Sequence, residues 1–87
     1  MKADKTTVAR LLKTARGQID GVLTMIEEDR YCMDISTQLL AISAEIKRAN
    51  REVLTAHLKS CVREADSEEE RDQKVNEVVT FLEKVMK

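Results

Sequence analysis

The chain has 87 residues, no proline, two glycines and only two aromatic residues, Tyr31 and Phe81. Lacking the proline and glycine punctuation of short strands and turns, it is not an all-β sandwich or barrel, and its two cysteines make no disulfide framework. The net charge of −1 names no partner but is unevenly spread: residues 1–19 hold five Lys/Arg against one Asp, and residues 64–87 hold four Lys/Arg against eight Asp/Glu, so different surfaces have different tasks.

Hydrophobic periodicity predicts three helices and an all-α fold. The first runs from about Lys5 to Glu28, where Val8, Leu11, Leu12, Ala15, Ile19, Val22, Leu23 and Ile26 recur in steps of three and four. Gly17 and Gly21 share one face of it, each costing about 1 kcal/mol relative to alanine. Such small residues fit the close approach of another backbone, with contact to DNA as the alternative. The charged segment from Glu27 to Tyr31 reads as a connection. The second helix runs from about Cys32 to Val62, with Ile35, Leu39, Ile42, Ile46, Ala49 and Val53 forming a heptad-like seam. So long a helix in so short a chain calls for a partner subunit, which would also complete an aliphatic core too small to stand alone. After a second charged connection, Ser67 and Glu70 fit a capping box. The third helix runs from about Glu68 to Met86, on Val75, Val78, Leu82 and Val85, with Val79, Phe81 and Met86 beside them. Residues 1–87 read as a single domain without internal repeats. No apolar run approaches the roughly 20 residues of a membrane span, and the first residues lack the apolar stretch of a secretory signal. The expected setting is cytoplasmic, where thiols stay reduced.

His57 and Cys61 stand four apart on the second helix, one turn from each other, close enough to share a metal ion. Either residue alone is more often simply packed. Cys32 adds a geometric condition. On one uninterrupted, straight helix it lies 25 residues, or roughly 38 Å, from His57. It can meet the pair only from an antiparallel partner chain, and the shared site would then occur twice per dimer. Two thiolates and one imidazole suit Cu(I) or Zn(II). Three soft ligands lean to Cu(I), whereas an oxygen from Glu77 would complete the usual four of zinc, so the residues alone leave both open.

The run Arg16-Gly17-Gln18-Ile19-Asp20-Gly21, then Tyr31-Cys32, then His57-Leu58-Lys59-Ser60-Cys61, resembles the CsoR/RcnR-type family of metal-responsive transcriptional repressors. The likeness extends from about Val8 to Leu82, and the Cys–His–Cys separations are those of its copper-sensing branch. Glu77 and Tyr31 match the acidic and tyrosine residues that flank that branch's metal site. The resemblance implies a three-helix protomer, an antiparallel four-helix-bundle dimer and a dimer-of-dimers tetramer. It implies that the apo protein binds double-stranded operator DNA and represses. Cu(I), held by Cys32 of one chain and His57 and Cys61 of the other, would then release the DNA and switch on copper-resistance genes. Glu77 would accept a hydrogen bond from the His57 ring nitrogen that does not hold the metal.

Two basic clusters are the candidate DNA surface: Lys5, Arg10, Lys13 and Arg16 on the first helix, and Lys47, Arg48 and Arg51 on the second. Neutralised phosphates would make binding strongly salt-dependent. The competing readings are a persulfide sensor of the same family, bridging Cys32 to the partner's Cys61, and a purely structural helical oligomer. Persulfide-sensing relatives lack the histidine, and a structural oligomer leaves Cys32, His57 and Cys61 unexplained. No nucleophile–base constellation or phosphate-binding glycine loop is present, so no enzymatic activity is expected.

Overall fold

The computed structural model describes residues 1–85 and consists of three helices: α1 (Lys5–Glu27), α2 (Cys32–Glu64) and α3 (Glu68–Val85). No strand occurs among the described residues. The expected end of the third helix at Met86 lies outside them.

The helix ends follow from local chemistry. Asp4 caps α1: its Oδ2 accepts from the Thr7 backbone N–H at 3.2 Å and from the Thr7 hydroxyl at 2.6 Å. These two bonds, the hydroxyl one larger, hold the Asp4 carboxyl below the usual carboxylate range. At the other end Glu28 is the cap, and Asp29 takes a left-handed conformation with φ of 54°. Arg30 N–H then donates to the Met25 carbonyl and Asp29 N–H to the Ile26 carbonyl, both at 3.0 Å. This is the Schellman pattern, with aspartate where glycine is commoner. The Tyr31 carbonyl opens α2 by accepting from Asp34 and Ile35. Glu64 rather than Val62 ends that helix, one half-turn beyond the last apolar position. At α3, Glu70 N–H donates to Ser67 Oγ at 3.0 Å, and Glu70 Oε2 accepts from the Asp66 N–H at 3.1 Å. The return arm of the capping box therefore reaches one residue further back than its usual target, the N-cap N–H.

The chain packs as two compact units. In the first, Asp4–Arg51, α1 and the first part of α2 form a helical hairpin around Ala15, Val22 and Ile42, with Ile35 packed against them. Val8, Leu11 and Ala49 are also buried. The apolar stripes are only half used. On α1, Leu12, Ile19, Leu23 and Ile26 are 44–56% exposed, and on α2 Leu39 and Ile46 are 51% and 47% exposed. At 100° per residue these side chains lie on one edge of each stripe, and the buried ones lie on the other.

Gly17 and Gly21 depart from expectation. A Cβ built at either meets nothing within 4 Å, so no backbone of this chain approaches them. The reason is helical phase. Gly17 is nine residues, about two and a half turns, from buried Val8, and so faces the opposite side of α1.

The second unit comprises Met1–Ala3 and the chain from Glu52 onward. Its buried apolar residues are Ala3 and Val78. Lys2 Nζ pairs with Glu64 Oε1 at 3.4 Å, an exposed contact of little energetic weight.

Candidate metal centre and basic face

The second unit contains the candidate ligand pair. His57 Nε2 lies 3.5 Å from Cys61 Sγ, as the one-turn spacing on α2 predicts. The separation suits a shared metal. Bonds of about 2.3 Å to sulfur and 2.0 Å to nitrogen span 3.5 Å at an angle of about 109°, close to tetrahedral. His57 is exposed and Cys61 partly so, leaving the pair open to a further ligand.

Glu77 comes from α3 to the same place. It lines a cavity of about 490 Å³ together with Leu54, His57, Val78, Thr80, Phe81 and Lys84. Sequence reasoning missed Leu54 and Phe81 here. The signal was available: Leu54 precedes His57 by three residues and Phe81 follows Glu77 by four, so each shares a helix face with the polar residue it accompanies.

Cys32 occupies the first turn of α2 and is exposed, as is its neighbour Tyr31. Both belong to the hairpin, whereas His57 and Cys61 belong to the other unit. The helix runs without a break from Cys32 to Glu64. Among the described residues of one protomer, no three His, Cys, Asp or Glu side chains gather as a metal-holding group.

The basic residues are all on the surface. Lys5, Arg10 and Lys13 line one groove of α1 with Thr6, Ala9 and Thr14. Short side chains at 6, 9 and 14 leave room between the cations. Arg16 is exposed one turn beyond Lys13, and Lys47, Arg48 and Arg51 are exposed on α2. Only Arg48 is engaged, by Glu45 at 3.9 Å. Four residues separate Arg10 from Thr14 and Lys5 from Ala9, so the groove runs along two adjacent rows of the helix.

An all-helical protomer with a thiol–imidazole pair at one place and a lysine- and arginine-lined helix at another is the layout of a helical metal-responsive regulator. A family profile described as metal-sensitive transcriptional repressor matches residues 4–84. The chain belongs to this family, which consists of regulators rather than enzymes. It is similar to the copper-sensing transcriptional repressor CsoR of Mycobacterium ulcerans, at 46% identity over 57 residues, covering 66% of this chain and 49% of that protein. The likeness to the Bacillus subtilis repressor of the same name is longer: 32% identity over 84 residues, 97% of this chain and 83% of the other. The chain spans about half the length of the mycobacterial relatives it matches. In three dimensions it resembles the crystal structure of the copper-sensing repressor CsoR with Cu(I) from Geobacillus thermodenitrificans NG80-2. The TM-score is 0.82 and the identity 30%, covering all of this chain and 94% of that one. The nickel-responsive transcriptional regulator InrS is also similar, with a TM-score of 0.80 and 26% identity over 97% of this chain and 94% of that one. Among the described residues, no helix is long and apolar enough to cross a membrane.

Proposed function

We propose that residues 1–87 form one metal-sensing, DNA-binding domain, a Cu(I)-responsive repressor whose sensor is shared between two chains. The observation that carries this reading is the His57–Cys61 pair, set at 3.5 Å with one side open. Cys32 of a partner subunit supplies the third ligand, because about 25 residues of unbroken helix, or roughly 38 Å, hold a protomer's own Cys32 away. The relatives' names place copper at the head of the candidate metals. The nickel-responsive neighbour shows that the same fold serves another metal. Two thiolates and an imidazole are a soft set that favours Cu(I).

The half-used apolar stripes support the partner. Leu12, Ile19, Leu23, Ile26, Leu39 and Ile46 form a surface that a second hairpin, packed antiparallel as a four-helix bundle, would cover. Covering each half-exposed side chain contributes roughly 1 kcal/mol. Two such dimers would then pair as a tetramer, multiplying the basic α1 faces that meet DNA phosphates. Lys5, Arg10, Lys13 and Arg16, with Lys47, Arg48 and Arg51, neutralise those phosphates.

When bound, Cu(I) supplies a soft cation that ties two chains together. The chain's own residues convert this into a signal. Cys61 and His57 fix one end of α2 to the partner's Cys32 at the start of its α2. Glu77, beside His57 in the α2–α3 cavity, accepts a hydrogen bond from the free ring nitrogen and sets the ring's orientation. Tyr31, next to Cys32, packs against the same place from the partner. The assembly is thereby biased toward a packing that binds DNA less well, by as much as the metal's affinity differs between the two packings. Release from operator DNA derepresses copper-resistance genes in the cytoplasm.

The test is DNA binding by reduced protein with and without one Cu(I) per protomer. Copper should weaken binding, and His57→Ala should bind DNA as the wild type does while losing that response. If copper leaves affinity unchanged while a persulfide donor abolishes it, a sulfur sensor built on Cys32 and Cys61 replaces this reading. Loss of DNA binding by metal-free His57→Ala would make the histidine structural.

A further inference from the structure

We propose that Phe81, with Leu54, determines which metal the His57 site accepts, by presenting hydrocarbon where a zinc ion needs a fourth, oxygen ligand. The inference rests on the metal-sensing reading above and extends it to selectivity.

His57 and Glu77 share their cavity with Leu54, Val78 and Phe81. Val78 is 4% exposed and fixed in the unit's small core, whereas Phe81 is 47% exposed. A chain with one phenylalanine and so little core thus leaves half of that ring outside it, lining the imidazole's cavity instead. Burying the ring would contribute about 1.5–3 kcal/mol, so packing alone does not explain its position.

The consequence is chemical. Zn(II) sites are almost always four-coordinate, and beyond two thiolates and one imidazole the fourth ligand is a carboxylate or a water. A water stays in such a cavity only where two or more polar groups hold it. Leu54, Val78 and Phe81 offer none. Glu77 is the one carboxylate lining the cavity, and a hydrogen bond to the His57 ring engages it. Cu(I) is satisfied by the soft ligands alone. The hydrocarbon wall therefore costs copper nothing and denies zinc its last ligand.

The experiment compares full-length Phe81→Asn, Phe81→Leu and wild type. Reduced metal-free protein is titrated with Cu(I) and, separately, with Zn(II), each against a chromophoric chelator, and thermal melts verify folding. The expected result is that Phe81→Asn raises Zn(II) affinity relative to Cu(I) by about tenfold, on the scale of changes around metal ligands. Phe81→Leu, which keeps the hydrocarbon, should hold the wild-type ratio. Leu54→Asn should shift the ratio in the same direction, and it decides the matter if Phe81→Asn does not fold. An unchanged ratio in the folded asparagine variant, or an equal shift in Phe81→Leu, overturns the proposal. Failure of the wild type to bind one Cu(I) per protomer overturns the sensor reading, and this inference with it.

Discussion

The hairpin unit and the unit that begins at Glu52 divide the molecule's resources unequally. Among the described residues, the hairpin holds the buried Val8, Leu11, Ala15, Val22, Ile42 and Ala49, whereas the other unit buries only Ala3 and Val78. The chemistry is distributed the other way, since His57, Cys61 and Glu77 all belong to the core-poor unit. A region with few buried contacts opens and rearranges at low free-energy cost. A sensor placed there can respond to a ligand, while the hairpin keeps its shape for DNA and for a partner.

That contrast can be broken first at the hairpin's exposed stripe. Ile19→Asp combined with Ile46→Asp places charges on the face assigned to the second subunit, where burying an unpaired charge costs several kcal/mol. The assembly should fall to monomers in sedimentation, with helix content reduced as the partner's support is lost. An unchanged mass would mean that the stripe faces solvent. A smaller effect tests the basic face: Arg16→Ala and Arg48→Ala should each lower the salt-dependence slope of DNA binding by about one. Unaltered slopes would move DNA to another surface.

The smallest effect concerns the α1 cap. The Asp4 carboxyl is held below its ordinary range by Thr7, so the folded state favours its ionised form. Its contribution is complete above the ordinary carboxylate range and disappears as pH falls through the lowered value. Asp4→Asn should therefore lower the melting temperature slightly at neutral pH and not at strongly acidic pH. A difference that persists in acid would assign the cap's role to packing rather than charge.

The three helices were legible because their apolar positions keep helical period, and Ser67 with Glu70 marks the start of α3. Asp4 went unread as a cap, although Thr7 three residues on supplies both donors. The division of the α1 stripe into buried Val8, Leu11, Ala15 and Val22 and exposed Leu12, Ile19, Leu23 and Ile26 was not legible. Periodicity finds a face but does not say how much of it one chain covers. The glycines show the same limit. Their spacing suits close approach, yet their phase turns them away from every backbone in the protomer. At the site, the i,i+4 rule places His57 beside Cys61 on α2 without further help. Bringing Glu77 and Phe81 to His57 requires α3 to fold back on α2, a tertiary contact that no local spacing encodes.

The measurement that bears most directly on a sensor shared between chains is copper binding by mixed dimers. Cys32→Ser and Cys61→Ser chains, differently tagged and co-expressed, form a mixed dimer in which one site keeps both cysteines and the other loses both. The mixed dimer should bind one Cu(I) tightly, while each variant alone binds at least about 100-fold more weakly than wild type, as loss of a direct ligand should exceed the 10–100-fold effects of outer residues. No tight site in the mixed dimer, or undiminished binding by the Cys32→Ser protein alone, would contradict a site built from two chains.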